Sequence, residues 1–412
     1  MAGHTGGRRY GRRAVLALGL GAGGLLAGSC AAPPAPADTA SRDVRRLLER
    51  RAAALAGRDR AAFLGVLEPG AAGLRERQRQ EFDHLAGVGP ATWEYELTGL
   101  DRTGEGLATA RVDLRYRIAG YDTVPAVTAR LVDLVRRAGQ WYVAGDRPRQ
   151  AGAQEIWQQG PVTAVRGKRA VVLGAGQDRD RLRSIADTAD RATAAVARAW
   201  PGARDLKEVL LVPSTLDGMG ALLGAPAAGY RGIAAVTTGA SGGGRRTSAD
   251  RVIVNPEAYG VLGAAGQEVV LTHETTHVAT RTVTTASTPM WLSEGFADWV
   301  AYRESDRAPV QVAPELRRTV VRDGPPAVLP DDGDFGFTGD AERLAGAYEG
   351  GWLACRMIAE RSGERALLAF YRSVGGHPQR DGAVENALHG ELGTGLDEFT
   401  AQWRAYLRAQ LG

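Results

Sequence analysis

The chain has 412 residues, enough for two or three domains with ample core, and 44% of them are hydrophobic. Its formal net charge of +4 is carried by Arg8, Arg9, Arg12 and Arg13. Beyond them 47 basic residues balance 47 acidic ones, so nothing in the charge argues for a nucleic-acid partner.

At the N-terminus, Arg12-Arg13 precede an apolar run over 14–27 that is too short and Gly-rich for a stable membrane span. The segment reads as a secretion signal. Leu26-Ala27-Gly28-Ser29-Cys30 then resembles a bacterial lipobox, departing from it in Ala27, with Leu26 one place early. The resemblance implies lipidation of Cys30, which becomes the mature N-terminus; ordinary cleavage near Ala31-Ala32 is the alternative. Arg-Arg-Ala-Val-Leu is also similar to a twin-arginine export signal, and Sec export fits equally well. With Cys30 lipidated, Cys355 stands alone and no disulfide framework is expected. Residues 1–30 are thus expected to be a signal peptide. Residues 31–41, rich in Pro and Ala, form a tether that holds the protein at the extracytoplasmic face of a membrane, or precede a secreted protein.

Residues 42–148 read as one α+β domain. Helices are expected over 43–56, 61–67 and 74–85. Four strands follow over 92–97, 111–118, 127–135 and 140–144. The second is the clearest, with Val112, Leu114, Tyr116 and Ile118 alternating with Arg111, Asp113, Arg115 and Arg117. Helices followed by an antiparallel meander ending in Gln-Trp-Tyr-Val resemble the nuclear-transport-factor-two-like cone fold, whose members often bind partners or small molecules; without convergent acids or histidines, a scaffold or docking role is expected. His84 has no companion acids or histidines in the sequence pattern.

Residues 154–412 carry the chemistry. A hairpin is expected over 162–165 and 169–173, a long helix over 178–200, and strands over 208–213, 232–238 and 251–255. The Gly-rich loop 239–244 lacks the Lys-Ser/Thr and helix start of a phosphate cradle. After Asn255 the chain reads as helical. Within it, His273-Glu274-Thr275-Thr276-His277 places two imidazoles four residues apart and a carboxylate beside the first. On a helix both rings share a face and can hold one Zn²⁺, with Glu274 beside the metal as a general base. A second helix opens after Pro289. There Glu294 is a carboxylate inside the apolar run Trp-Leu-Ser-Glu-Gly-Phe-Ala-Asp-Trp, a place that demands pairing or a metal. Glu294 is therefore the expected third ligand. Asp298, one turn on, is placed to accept the other ring N–H of a ligand histidine.

HETTH followed by WLSEGFADW resembles the gluzincin zinc peptidases, the thermolysin-like and aminopeptidase-like group. The sixteen residues between His277 and Glu294 are fewer than in the best-known branches. The resemblance implies a sheet-bearing lobe and a helical lobe with the zinc helix between them. It also implies a tyrosine that stabilises the oxyanion, for which Tyr348 in Ala347-Tyr348-Glu349-Gly350-Gly351-Trp352 is the match. His377 and His389, in Gly-rich contexts, are runners-up for that role. An edge strand that pairs with the substrate backbone is implied too, here Ala234, Ala235 and Val236. No acid lies between Gly218 and Ala249, which weighs against an aminopeptidase.

The expectation is thus an α+β protein, a cone domain followed by a gluzincin-like domain. It is expected to be an exported zinc metallopeptidase acting on peptides or proteins. A binding lipoprotein with a structural or degenerate zinc site, or a metal-dependent hydrolase of other bonds, are the alternatives.

Overall fold

The computed structural model describes residues 36–239, 248–336 and 341–412. The expected signal, the lipidation residue Cys30, most of the tether and most of the loop 239–244 lie outside them. Residues 41–412 form one unit by their contacts, and residues 36–40 enter only as the start of the first helix.

Three helices, α1 (Pro36–Ala56), α2 (Arg60–Gly65) and α3 (Ala72–Val88), precede β1 (Pro90–Gly104), β2 (Leu107–Ile118), β3 (Ala126–Arg137) and β4 (Gln140–Pro148). The strands form an antiparallel meander in chain order. Period-2 alternation decides which face is buried. Ala108, Ala110, Val112, Leu114, Tyr116 and Ile118 all point inward from β2, while Arg111 and Arg117 stay in solvent. Register shifts along β1, and one between β3 and β4, bend the sheet. Leu55, Phe63, Leu85 and Val88 from the helices pack with Trp93, Leu114 and Tyr116 of the sheet. A buried ion network lies inside: Asp146 accepts from Arg130 at 2.6 Å and pairs with Arg51 at 2.8 Å.

The second sheet runs in the order β5 (Val162–Arg166), β6 (Ala170–Ala175), β7 (Glu208–Val212), β9 (Val252–Val254), β8 (Ala235–Thr237). β5 and β6 form the expected hairpin. The crossover through α4 (Arg179–Ala199) makes β6 and β7 parallel, and β8 is an antiparallel edge strand. Every residue of β6 and β7 is buried, as expected for strands covered on both faces. On one face Leu173, Val209, Leu211 and Ile253 join the core of the meander, with Trp157 set edge-on to Trp93 and Tyr116. On the other, Leu182, Ile185, Ala186 and Ala189 of α4 pack against Val172, Leu210 and Val252, together with Leu271 and Val278 further on.

After α5 (Leu216–Leu223) and α6 (Pro256–Gly260), the chain is helical: α7 (Ala264–Thr280), α8 (Met290–Tyr302), α9 (Pro309–Val312), α10 (Pro314–Asp323), α11 (Ala341–Ser362), α12 (Glu364–Gly376), α13 (Ala383–Ala387) and α14 (Leu396–Leu411). α8, α10, α11, α12 and α14 share one apolar core around Trp291, Phe296, Trp352, Phe370 and Trp403. α8 and α11 cross in backbone contact: a Cβ on Gly295 would lie 2.2 Å from the Gly351 carbonyl carbon, and one on Gly351 2.5 Å from the Trp291 oxygen. Only glycine fits at either position. The α+β class is as expected, with a sheet-bearing part followed by a helical one.

Candidate metal centre

From Leu271 onward α7 is mostly buried without an apolar stripe, and its threonines explain how. β-Branched residues are modest helix formers, and a bare hydroxyl is costly inside a core. Here Thr276 donates to the Thr272 carbonyl at 2.7 Å, Thr280 to Thr276 at 3.0 Å and Thr284 to Thr280 at 3.1 Å. Thr275 points to the opposite side and donates to the buried Glu208 carboxyl of β7 at 3.0 Å. With the polar positions satisfied, α7 lies between sheet and helical lobe and turns His273 and His277 to one side, one turn apart.

α8 begins directly after Pro289, whose φ of −66° suits the residue before a helix, and places Glu294 one turn in. The three expected ligands meet. His273 Nε2 lies 3.0 Å from His277 Nε2 and 3.1 Å from Glu294 Oε2, and His277 Nε2 lies 3.3 Å from the same oxygen. A tetrahedral ion with bonds of about 2.0–2.1 Å sets its ligand atoms about 3.3 Å apart, which is the size of this triangle. Among the described residues this is the cluster of histidines and acids whose ligand atoms could hold a metal ion. The donor set of two imidazoles and one carboxylate suits Zn²⁺.

The surroundings support that charge. Asp298 Oδ1 lies 2.7 Å from His273 Nδ1. A carboxylate can only accept, so the ring donates through Nδ1, and in the neutral imidazole Nε2 turns a lone pair toward the triangle. Burial opposes a positive His273, but the Asp298 and Glu294 carboxylates outweigh it and hold the imidazole well above its usual pKa. Burial likewise works against an ionised Glu294, yet His277 and His273 keep it below the usual carboxylate range. These groups favour a cation at the point they share.

Glu274 is buried beside His273, outside the triangle. Its carboxylate oxygen Oε2 accepts from the Thr237 hydroxyl of β8 at 2.6 Å. Tyr348 stands on α11, its ring 6.3 Å from that of His273 and edge-on to Phe335 at 5.1 Å. Burial first, then the Glu294, Asp298 and Glu274 carboxylates, push its phenol well above the usual pKa, so it remains a donor at neutral pH. These groups line a cleft of about 670 Å³. One wall is residues 233–237, and the other includes Met290, Phe335, Leu344, Tyr348 and Trp352. The volume is in the range of small-molecule sites.

No protein-family model matches the chain, and no curated protein matches it. Among solved structures, a mutant of the M1 zinc metallopeptidase from Deinococcus radiodurans bound to a Tyr-Ser-Ala substrate is similar at 13% identity with a TM-score of 0.35, covering 74% of this chain and 62% of that one. Another structure of the M1 zinc metallopeptidase from Deinococcus radiodurans gives 14% identity and a TM-score of 0.33, over 74% and 61%. A two-domain M1 zinc metallopeptidase mutant bound to L-arginine gives 14% and 0.34, over 78% and 63%. The chain thus spans about three fifths of the length of these structures. At so low a likeness, the chemistry of this site rests on its own geometry.

Every expected site residue within the described part reaches the cleft: His273, Glu274, His277, Glu294, Asp298, Tyr348, Ala234, Ala235 and Val236. The strand is shorter than expected. Only Ala235–Thr237 is extended; the Asn255 backbone N–H binds the Ala234 carbonyl and its side chain the Ile233 carbonyl, both at 2.9 Å. The runners-up lie elsewhere. His377 caps α12 and binds Gln379, and His389 sits in a π-turn paired with Glu385 at 2.8 Å. His84 faces the Trp157 carbonyl at 2.8 Å. Two contributors went unread: Thr237, the one polar residue of β8, and Glu208, the one acid in a buried strand. In each case the isolated polar residue was the available signal.

Proposed function

We propose that this protein is a zinc-dependent metallopeptidase, with His273, His277 and Glu294 holding the metal and Glu274 as the base. The triangle of ligand atoms, with an acid beside it that binds no ligand position, carries the reading. A purely structural site has no use for that acid. Bound Zn²⁺ would supply a Lewis acid that lowers the pKa of water toward about 7 and polarises a scissile carbonyl. Glu274 takes the proton of the attacking water and returns it to the leaving amine. Tyr348, kept protonated, donates to the oxyanion that develops on the carbonyl oxygen. Asp298 fixes the tautomer of His273. The outer edge of β8, with Ala235 and Val236, offers backbone groups to an extended peptide. No acid lies between Gly218 and Ala249, in keeping with a preference other than for free amino termini.

The deciding experiment replaces Glu274 by Gln and measures zinc content and cleavage of a peptide library. Full zinc with cleavage abolished supports the reading. Undiminished cleavage removes Glu274 from the mechanism, and a wild type that cleaves no peptide favours a binding role or another hydrolase.

We further propose export and tethering to the outer face of the cell membrane through lipidated Cys30, on the strength of the lipobox-like segment. Cys30→Ala is expected to lose the lipid label and leave the membrane fraction. Unchanged labelling and fractionation would remove Cys30 as the anchor.

A further inference from the structure

Glu274 is held by a strand as well as by its own helix. The Thr237 hydroxyl lies 2.6 Å from Glu274 Oε2 and 3.1 Å from the Glu274 main-chain carbonyl. A hydroxyl has one proton to give, and the short contact to a carboxylate oxygen is the charge-assisted one. Thr237 is itself fixed. β8 pairs with β9 opposite Val252, and the next residue is clamped: the Thr238 N–H donates to the Arg251 carbonyl at 2.7 Å, and the Thr238 hydroxyl accepts from the Arg251 N–H at 2.8 Å. Arg251 is in turn buried and held by both oxygens of Asp122, at 2.7 and 2.8 Å.

We infer that Thr237 is a positioning residue for the base, donating to Oε2 so that Oε1 is the oxygen that takes and returns the proton. This rests on the peptidase reading of the same site and adds to it a residue outside the zinc motif. A carboxylate free to rotate presents either oxygen, and each wrong orientation removes the base from reach. With Oε2 occupied by a donor from a rigid strand, one orientation is selected before substrate arrives. The same strand lines the cleft, so the base is referenced to the wall that the substrate lies against.

The test compares Thr237→Val, which keeps the shape and removes the donor, with Thr237→Ser, which keeps the donor. A hydrogen bond to a charged group corresponds to roughly a ten- to hundredfold effect. Thr237→Val is expected to lower kcat by that factor, with KM and zinc content near wild type, and Thr237→Ser to restore most of the loss. Equal rates for wild type and Thr237→Val, or a Ser variant as slow as Val, would each overturn the inference. A second measurement needs no activity. The infrared difference spectrum of wild type against Glu274→Gln locates the Glu274 carboxylate band, which Thr237→Val should move and Thr237→Ser should leave in place. If the wild type cleaves no peptide, the peptidase reading fails while this spectrum still decides the contact; an unmoved band in Thr237→Val overturns it.

Discussion

His273 and Asp298 join α7 to α8 by a 2.7 Å contact between Nδ1 and Oδ1, on the side of the ring away from the ligand triangle. The acid that orients the imidazole thus comes from the same helix as Glu294, one turn past it. Replacing Asp298 by Ala leaves all three ligands in place and frees the ring to rotate or change tautomer. Loss of such a partner typically lowers metal affinity about ten- to a hundredfold. Competition for zinc against a chelator of known affinity measures this, and unchanged affinity would show that His273 needs no support.

Tyr348→Phe separates substrate binding from oxyanion stabilisation. The ring stays and keeps its edge-on contact with Phe335, while the donor goes. Removing one oxyanion donor commonly costs about a hundredfold or more in kcat. Steady-state kinetics on a cleaved peptide should show that loss with KM little changed; a wild-type kcat would assign Tyr348 to the cleft wall alone.

Gly295→Ala tests how the helical lobe sets the site. Its Cβ would sit 2.2 Å from the Gly351 carbonyl carbon, a contact that backbone alone can relieve. Overpacking a tight core costs about 1–3 kcal/mol, and more where backbone must shift. Because Glu294 precedes Gly295 and Tyr348 lies one turn before Gly351, the shift should also lower zinc occupancy. Denaturant titration and metal analysis on the same preparation read both effects.

Glu208 gives a pH prediction. Burial, aided by Asp190 and partly offset by the Thr275 hydroxyl, pushes its carboxyl from an ordinary value of 4.5 up to about 8. Between those values the folded protein holds a proton that the unfolded chain has released. Stability therefore falls as pH rises from about 4.5 to about 8, then levels. Glu208→Gln keeps an acceptor for Thr275 and removes the titration. It should match wild type near pH 4.5 and exceed it at pH 8, by up to a few kcal/mol given about 1.4 kcal/mol per pH unit. Thermal melts across that range check it, and parallel curves would rule out a proton on Glu208.

Much of the site was legible because its chemistry is local. His273, Glu274 and His277 lie within five residues, and Glu294 and Asp298 stand out as acids in an apolar run. Thr237 and Glu208 were not legible, since their meaning comes from elements 37 and 67 residues away in the chain. The meander was legible from alternation, although its strands run longer than their apolar cores, because pairing continues through polar ends such as 101–104. The burial of α7 could not be read from periodicity at all. Its threonines look polar in sequence and become compatible with a core only through their bonds to carbonyls one turn back.

The edge-on packing of Trp157 against Trp93 and Tyr116 bears on how the protein can be handled. The chain could be expressed from residue 154, but such a fragment would carry Trp157, Leu173, Val209 and Leu211 without the aromatic surface that covers them. The sheet behind α7 would then have one wet, apolar face. The N-terminal sheet thus covers one apolar face of the second sheet, and a chain shortened to residue 154 is expected to be insoluble while the chain from Ser41 onward is not.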